Sequence, residues 1–180
     1  MIFSASKSNL VLIGFRGTGK TTVSTKLAQN LDLNRLSTDD MAVERCGMSI
    51  AAYVEQHGWA AFRHIEHECV AEAASRQGVV IDCGGGVVEN PENMRLLSQN
   101  GIIIWVHAEL NDVLKRLAED PLDAQRPLLT QNTTKQQDII ENYSRRLPLY
   151  ERFAAFMVNT STHSPDECCR YIQSDIFGKM

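Results

Sequence analysis

The sequence predicts an α/β fold: a parallel sheet of five strands with helices on both faces. Three observations carry that prediction. Strand-like and helix-like patterns alternate to the end of the chain. The clearest strand candidates, residues 10–13, 79–81 and 102–106, are unbroken apolar runs, as strands buried on both faces must be. The first of them leads directly into Gly14-Phe15-Arg16-Gly17-Thr18-Gly19-Lys20-Thr21, a complete phosphate-binding P-loop between a strand and a helix.

The elements follow in order. A helix over residues 22–31 puts Val23, Leu27 and Leu31 on one face. Residues 33–38 form a weak strand. Residues 39–46 form a helix that Gly47 closes, and Ser49 caps the next one. A longer helix runs from Trp59 to about Arg76, with Gly78 beyond it. The strand at 79–81 opens into Gly84-Gly85-Gly86. Asn90-Pro91 supplies an N-cap with proline at the first helical position, and that helix stops at Gly101. Residues 102–106 form the central strand and 110–117 a short helix. Residues 119–134 are polar, contain proline and show no period; such a stretch in a compact domain is expected to be a lid. A helix from about Lys135 is expected to end near Pro148. Residues 156–158 form the last strand. Ser164-Pro165-Asp166-Glu167 is a capping box opening a final helix with Cys168, Tyr171, Ile172 and Ile176. The P-loop strand, first in sequence, is expected at the sheet's centre, because ligands of such sheets bind at strand C-termini beside a topological switch point.

The chain has 180 residues, 43% hydrophobic and 22% charged, which suits one compact domain over residues 1–180. A net charge of −4 with no basic run argues against a nucleic-acid partner. An anionic substrate is then held by a few local arginines rather than by a global field. No apolar run approaches membrane-spanning length, and residues 1–7 lack the apolar segment of a secretion signal. Five cysteines, an odd number without CxxC or zinc spacing, read as reduced thiols. A cytoplasmic, monomeric protein is expected.

Within the P-loop, the backbone around Gly17, Thr18, Gly19, Lys20, Thr21 and Thr22 turns N–H groups toward phosphate oxygens, and the helix N-terminus adds positive potential. Lys20 reaches the β- and γ-phosphates, and the Thr21 hydroxyl suits Mg²⁺. The chain lacks the guanine-reading Asn-Lys-x-Asp of a GTPase and is small for a motor. A compact chain with a lid favours a nucleoside-triphosphate-dependent kinase.

Three further clusters narrow this: Thr38-Asp39-Asp40 after the second strand, Phe62-Arg63-His64-Ile65-Glu66, and Asp82-Cys83-Gly84-Gly85-Gly86. With the P-loop, Arg126-Pro127-Leu128-Leu129 and Arg146-Leu147-Pro148-Leu149-Tyr150, they resemble the shikimate kinase family over about residues 9–160. The resemblance implies a three-layer P-loop kinase fold, sheet order 2-3-1-4-5, with substrate-binding helices over about 39–76. It implies transfer of the ATP γ-phosphoryl to the 3-hydroxyl of shikimate with Mg²⁺. Asp40 matches the aspartate that contacts the ring hydroxyls and accepts a proton; the plainer reading is a helix N-terminal aspartate favoured by the dipole. Arg63 and Arg146 match the arginines holding the shikimate carboxylate, and Gly84, Gly85 and Gly86 match the substrate-side triplet. Arg126 looks like the lid arginine that neutralises charge on the transferring phosphoryl, and Arg116 like the arginine that stacks on adenine.

One departure stands out. The family shows Asp-x-Asp after the second strand, its first Asp supporting Mg²⁺ through water; at that position the sequence reads Thr38. Asp39, Asp82 or both are expected to supply the missing carboxylate by orienting waters of the ion, and Asp82, ending a buried strand, is the favoured one. A kinase of another polyol acid such as gluconate, and a shikimate-kinase-like module without turnover, are the competing readings. His64 and His67 read as a solvated helix face, Trp59 and Trp105 as packing residues, and the cysteines as small apolar fillers.

Overall fold

The computed structural model describes residues 8–120 and 134–177. Its sheet holds β1 (Asn9–Ile13), β2 (Asn34–Ser37), β3 (Val79–Asp82), β4 (Gly101–His107) and β5 (Phe156–Asn159). The order is β2-β3-β1-β4-β5 and every pairing is parallel. The expected order 2-3-1-4-5 is therefore present, with β1 in the middle.

All five residues of β1 are buried, because alternate side chains enter two separate cores. Leu10 and Leu12 join Val23 and Leu27 of α1 (Lys20–Leu31) and Cys168, Cys169, Ile172 and Ile176 of α7 (Pro165–Phe177). Val11 and Ile13 face the opposite core, built with α3 (Ile50–Ser75), α4 (Pro91–Asn100), α5 (Leu110–Glu119) and α6 (Lys135–Phe153). A third cluster seats α2 (Thr38–Cys46) on α3 through Ala42, Val54, Phe62 and Cys69. Trp105 lies in the larger core, as a packing residue should. All five cysteines are free thiols. Among the described residues no helix is long and apolar enough to cross a membrane.

Several boundaries shift by a residue or two, and three departures have a visible cause. α1 starts at Lys20, two residues early, because Gly19 takes a left-handed conformation (φ 85°) and becomes its N-cap. α3 spans both helices expected around Gly58, where the backbone turns to φ 80° and ψ 166°. α6 passes Pro148 and runs to Phe153. The ring removes one backbone N–H, but Tyr150 holds the last turn by donating its hydroxyl to the Gly85 carbonyl (2.6 Å) and stacking near Trp105. A 3₁₀ turn, η1 (Val87–Glu89), follows the glycine triplet without any sequence expectation.

Candidate active site

The P-loop joins β1 to α1 at the C-terminal edge of the sheet. Its backbone is held from inside: the Thr18 hydroxyl donates to the Phe15 carbonyl (2.7 Å), and the Lys20 ammonium donates to the same oxygen (2.9 Å). Thr18 and Lys20 are buried, while Thr21 and Thr22 open α1 exposed to solvent. Backbone N–H groups at this helix start form the positive cradle that a polyphosphate needs. Behind it lies a cavity of about 240 Å³ lined by Gly19, Thr22, Arg116, Thr160 and Pro165. Arg116 is fixed there by hydrogen bonds to the Gly17 carbonyl (3.2 Å) and to the hydroxyl (3.0 Å) and carbonyl (2.8 Å) of Thr160. A guanidinium held flat offers a face for an aromatic base.

The glycine triplet sits beside this loop. A side chain at Gly85 would come within 3.4 Å of the Gly14 carbonyl and the Arg16 N–H of the loop. A side chain at Gly84 would strike Asp39, and one at Gly86 would strike the Arg63 guanidinium. Arg63 reaches the triplet from α3, lying 5.3 Å from the Trp59 ring, and Arg146 reaches it from α6, 5.8 Å from the Phe15 ring. Both arginines meet one carboxylate oxygen of Glu89, at 3.3 and 2.7 Å. Arg63 also pairs with buried Glu66 at 2.8 Å. Burial pushes the Glu66 carboxyl up against the opposing pull of Arg63. For Glu89 burial also acts upward, but Arg146 and Arg145 outweigh it and hold the carboxyl below its usual range.

The helix phase of α2 sends its two aspartates in different directions. Ser37 is its N-cap, accepting from the Asp40 N–H at 3.1 Å. Successive helical residues rotate by about 100°, so two neighbours cannot share one target. Asp39 turns toward Gly84 and Glu66. Asp40 points outward, its side chain 80% exposed and 3.8 Å from Arg35. The plainer reading of Asp40, an acidic residue in the first turn of a helix, is the one its geometry fits. Ser37 stands two residues before Asp39, as Thr38 stands two before Asp40. Thr38 is buried and accepts the Gly84 N–H at 2.9 Å, tying the start of α2 to the triplet.

Asp82 is the cross-strand partner of Ser37, so a carboxylate survives one strand away. It is buried, accepts from Ser24 (3.2 Å) and pairs with Arg35 at 2.5 Å. Among the described residues no three His, Cys, Asp or Glu side chains converge as a metal cage. The Asp82 carboxylate and the exposed Thr21 hydroxyl are oxygen groups of the kind that suit Mg²⁺, which keeps most of its waters and takes phosphate oxygens as ligands. His64 is exposed, whereas His67 meets Asn93 at 2.6 Å. Arg126 and most of the lid expected over 119–134 lie outside the described residues.

Sequence reasoning missed Glu66 and Glu89. The i,i+3 spacing of Arg63 and Glu66 was a usable signal. Glu89 had none, because its partners come from α3 and α6.

The shikimate kinase family profile matches residues 16–177. The chain is 39% identical to a shikimate kinase of Caldicellulosiruptor bescii over 158 residues, covering 88% of this chain and 89% of that one. It is likewise 39% identical to a shikimate kinase of Enterococcus faecalis over 159 residues, covering 88% and 92%. The shikimate kinase of Acinetobacter baumannii, solved in complex with shikimate, superposes with a TM-score of 0.88 at 28% identity, covering 97% of this chain and 96% of that one. A family profile over most of the chain, relatives at 39% identity and a matching fold agree, and the chain belongs to the shikimate kinase family.

Proposed function

We propose that this chain, acting as one domain, transfers the γ-phosphoryl group of ATP to the 3-hydroxyl of shikimate. One observation carries the reading: Arg63 and Arg146 converge on the triplet whose middle glycine packs against the P-loop. A receptor for a planar carboxylate and a cradle for phosphates therefore share one wall. Arg146 is buried, and its Nε–H finds no acceptor among the described residues. A buried charged donor without an acceptor is costly, and a substrate carboxylate supplies the missing oxygen. The shikimate bound by the structural neighbour supports the same reading.

The roles follow from chemistry. The P-loop N–H groups and Lys20 bind the β- and γ-phosphates, and Arg116 backs the base. Arg63 and Arg146 bind the carboxylate, while Gly84, Gly85 and Gly86 admit the ring closely. Asp39 orients the 3-hydroxyl and takes its proton as the oxygen attacks phosphorus and the bond to the β-phosphate bridging oxygen breaks. Asp39 carries this role instead of Asp40. Mg²⁺, when bound, neutralises charge on the phosphate oxygens; Thr21 would hold it, with Asp82 orienting its waters once released from Arg35. Positioning and charge neutralisation supply most of the acceleration. The reading includes a cytoplasmic, monomeric enzyme.

A coupled assay of ADP release with shikimate, quinate and gluconate tests the proposal. Shikimate should give the highest kcat/KM. Equal or higher values for gluconate would overturn it.

A further inference from the structure

We infer that Glu89 is a positioning residue for the carboxylate subsite, clamping Arg63 and Arg146 by their terminal nitrogens so that other guanidinium edges face the substrate. The inference rests on the proposed reading of that subsite. Glu89 ends η1, the 3₁₀ turn after the glycine triplet. Its Oε2 accepts from Nη2 of Arg63 (3.3 Å) and Nη2 of Arg146 (2.7 Å). Its Oε1 accepts from Nη1 of Arg145. One carboxylate therefore ties together side chains from α3 and α6.

The clamp is braced from both sides. The backbone N–H of Glu89 donates to the Gly86 carbonyl at 3.0 Å. Arg145 in turn donates to the Asn142 side chain at 2.7 Å, and Asn142, buried in α6, donates to Asp138 at 3.0 Å. Glu89 is only 20% exposed at its side chain. With both oxygens engaged and its backbone pinned, it is a fixed part of the wall rather than a loose occupant.

What the clamp leaves over is the functional point. Arg63 uses Nη1 on Glu66 and Nη2 on Glu89. Arg146 uses Nη2 on Glu89, while its buried Nε has no acceptor among the described residues. A guanidinium binds a carboxylate through two adjacent N–H groups, so a constraint at the terminal nitrogens decides which edge is presented. Long arginine side chains otherwise lose rotamer freedom on binding, and prior constraint removes that cost.

The test compares the parent with Glu89→Ala, Glu89→Gln and Arg145→Ala in steady-state kinetics, with calorimetric titration of shikimate. Glu89→Ala should raise the KM and Kd for shikimate about tenfold, the scale of a misplaced binding group. kcat and the KM for ATP should stay within about twofold, since neither the P-loop nor Asp39 is touched. Glu89→Gln retains one acceptor and should recover part of the loss. Arg145→Ala should move the shikimate KM in the same direction by less. If Glu89→Ala does not fold, the Glu89→Gln and Arg145→Ala pair decides. An unchanged shikimate KM with an active parent overturns the clamp alone. A lowered KM overturns it too, because Glu89 would then be competing with the substrate carboxylate. Equal losses for shikimate and ATP would make Glu89 merely structural. A parent that neither binds nor turns over shikimate would instead overturn the proposed function, and the clamp with it.

Discussion

The two ends of the cleft are built on opposite principles. The nucleotide end is backbone: Gly14 to Thr21, eight consecutive residues, wrapped by their own carbonyls and by the start of α1. The acceptor end is side chains: Asp39 from α2, Arg63 and Glu66 from α3, Glu89 from η1, Arg146 from α6. A local backbone motif carries its geometry with it. A constellation of side chains depends on the phase of each helix and on loops between them. One residue along α2 separates Asp39, turned toward Gly84 and Glu66, from Asp40, turned to solvent.

That contrast can be broken or sharpened by substitution. Lys20→Met should have the largest effect, lowering kcat by about 10³-fold while thermal unfolding stays cooperative; near-normal turnover would show that the loop does not stabilise the transferring phosphoryl. Next, Asp39→Asn should lower kcat by about 10²-fold. Asp40→Asn, on the exposed side, should leave it within about twofold. The reverse ranking would return the proton-accepting role to Asp40. Arg63→Ala and Arg146→Ala should each weaken shikimate binding by about 2 kcal/mol, with ATP affinity unchanged. Calorimetry reads both, and equal weakening for the two ligands would erase the boundary between the ends.

The smallest effect is on stability and pH. Glu66 titrates above its usual range because burial disfavours the charged form. Its contribution is therefore full below the unfolded carboxyl value and is lost as pH rises through the folded one. Glu89 titrates below its usual range, so its contribution is present above the unfolded value and is lost as pH falls through the folded one. Thermal midpoints of Glu66→Gln and Glu89→Gln, each followed against the parent from about pH 4 to pH 7, should diverge in opposite directions. Parallel curves would mean that the two carboxylates share one environment.

Most of the fold was legible. Apolar runs marked every buried strand, and Gly47, Ser49 and Asn90 stand at the helix ends read for them. The end of α6 was misread because a proline's local cost was weighed without the tertiary anchor of Tyr150. In the site, the grouping of the P-loop, Arg63, Arg146 and the triplet in one cleft was legible from motif and spacing. Which of Asp39 and Asp40 faces the triplet was not, since the phase of α2 is open until its N-cap, Ser37, is known. Glu89 was invisible for a different reason: 26 and 57 residues separate it from Arg63 and Arg146, and no periodicity spans such gaps.

The central place of β1 has a consequence for how the molecule comes into being. Its two neighbours, β3 and β4, lie far downstream, and the carbonyl of Val106 and the backbone at Gly85 are what the loop after β1 rests against. A chain growing from its N-terminus carries the complete phosphate-binding motif long before it has anything to lean on. Closing such distant contacts costs loop entropy first and returns packing only afterwards. A nascent chain released before residue 107 should therefore hold every letter of the motif and no nucleotide. The first chemistry written in this polypeptide is among the last to work.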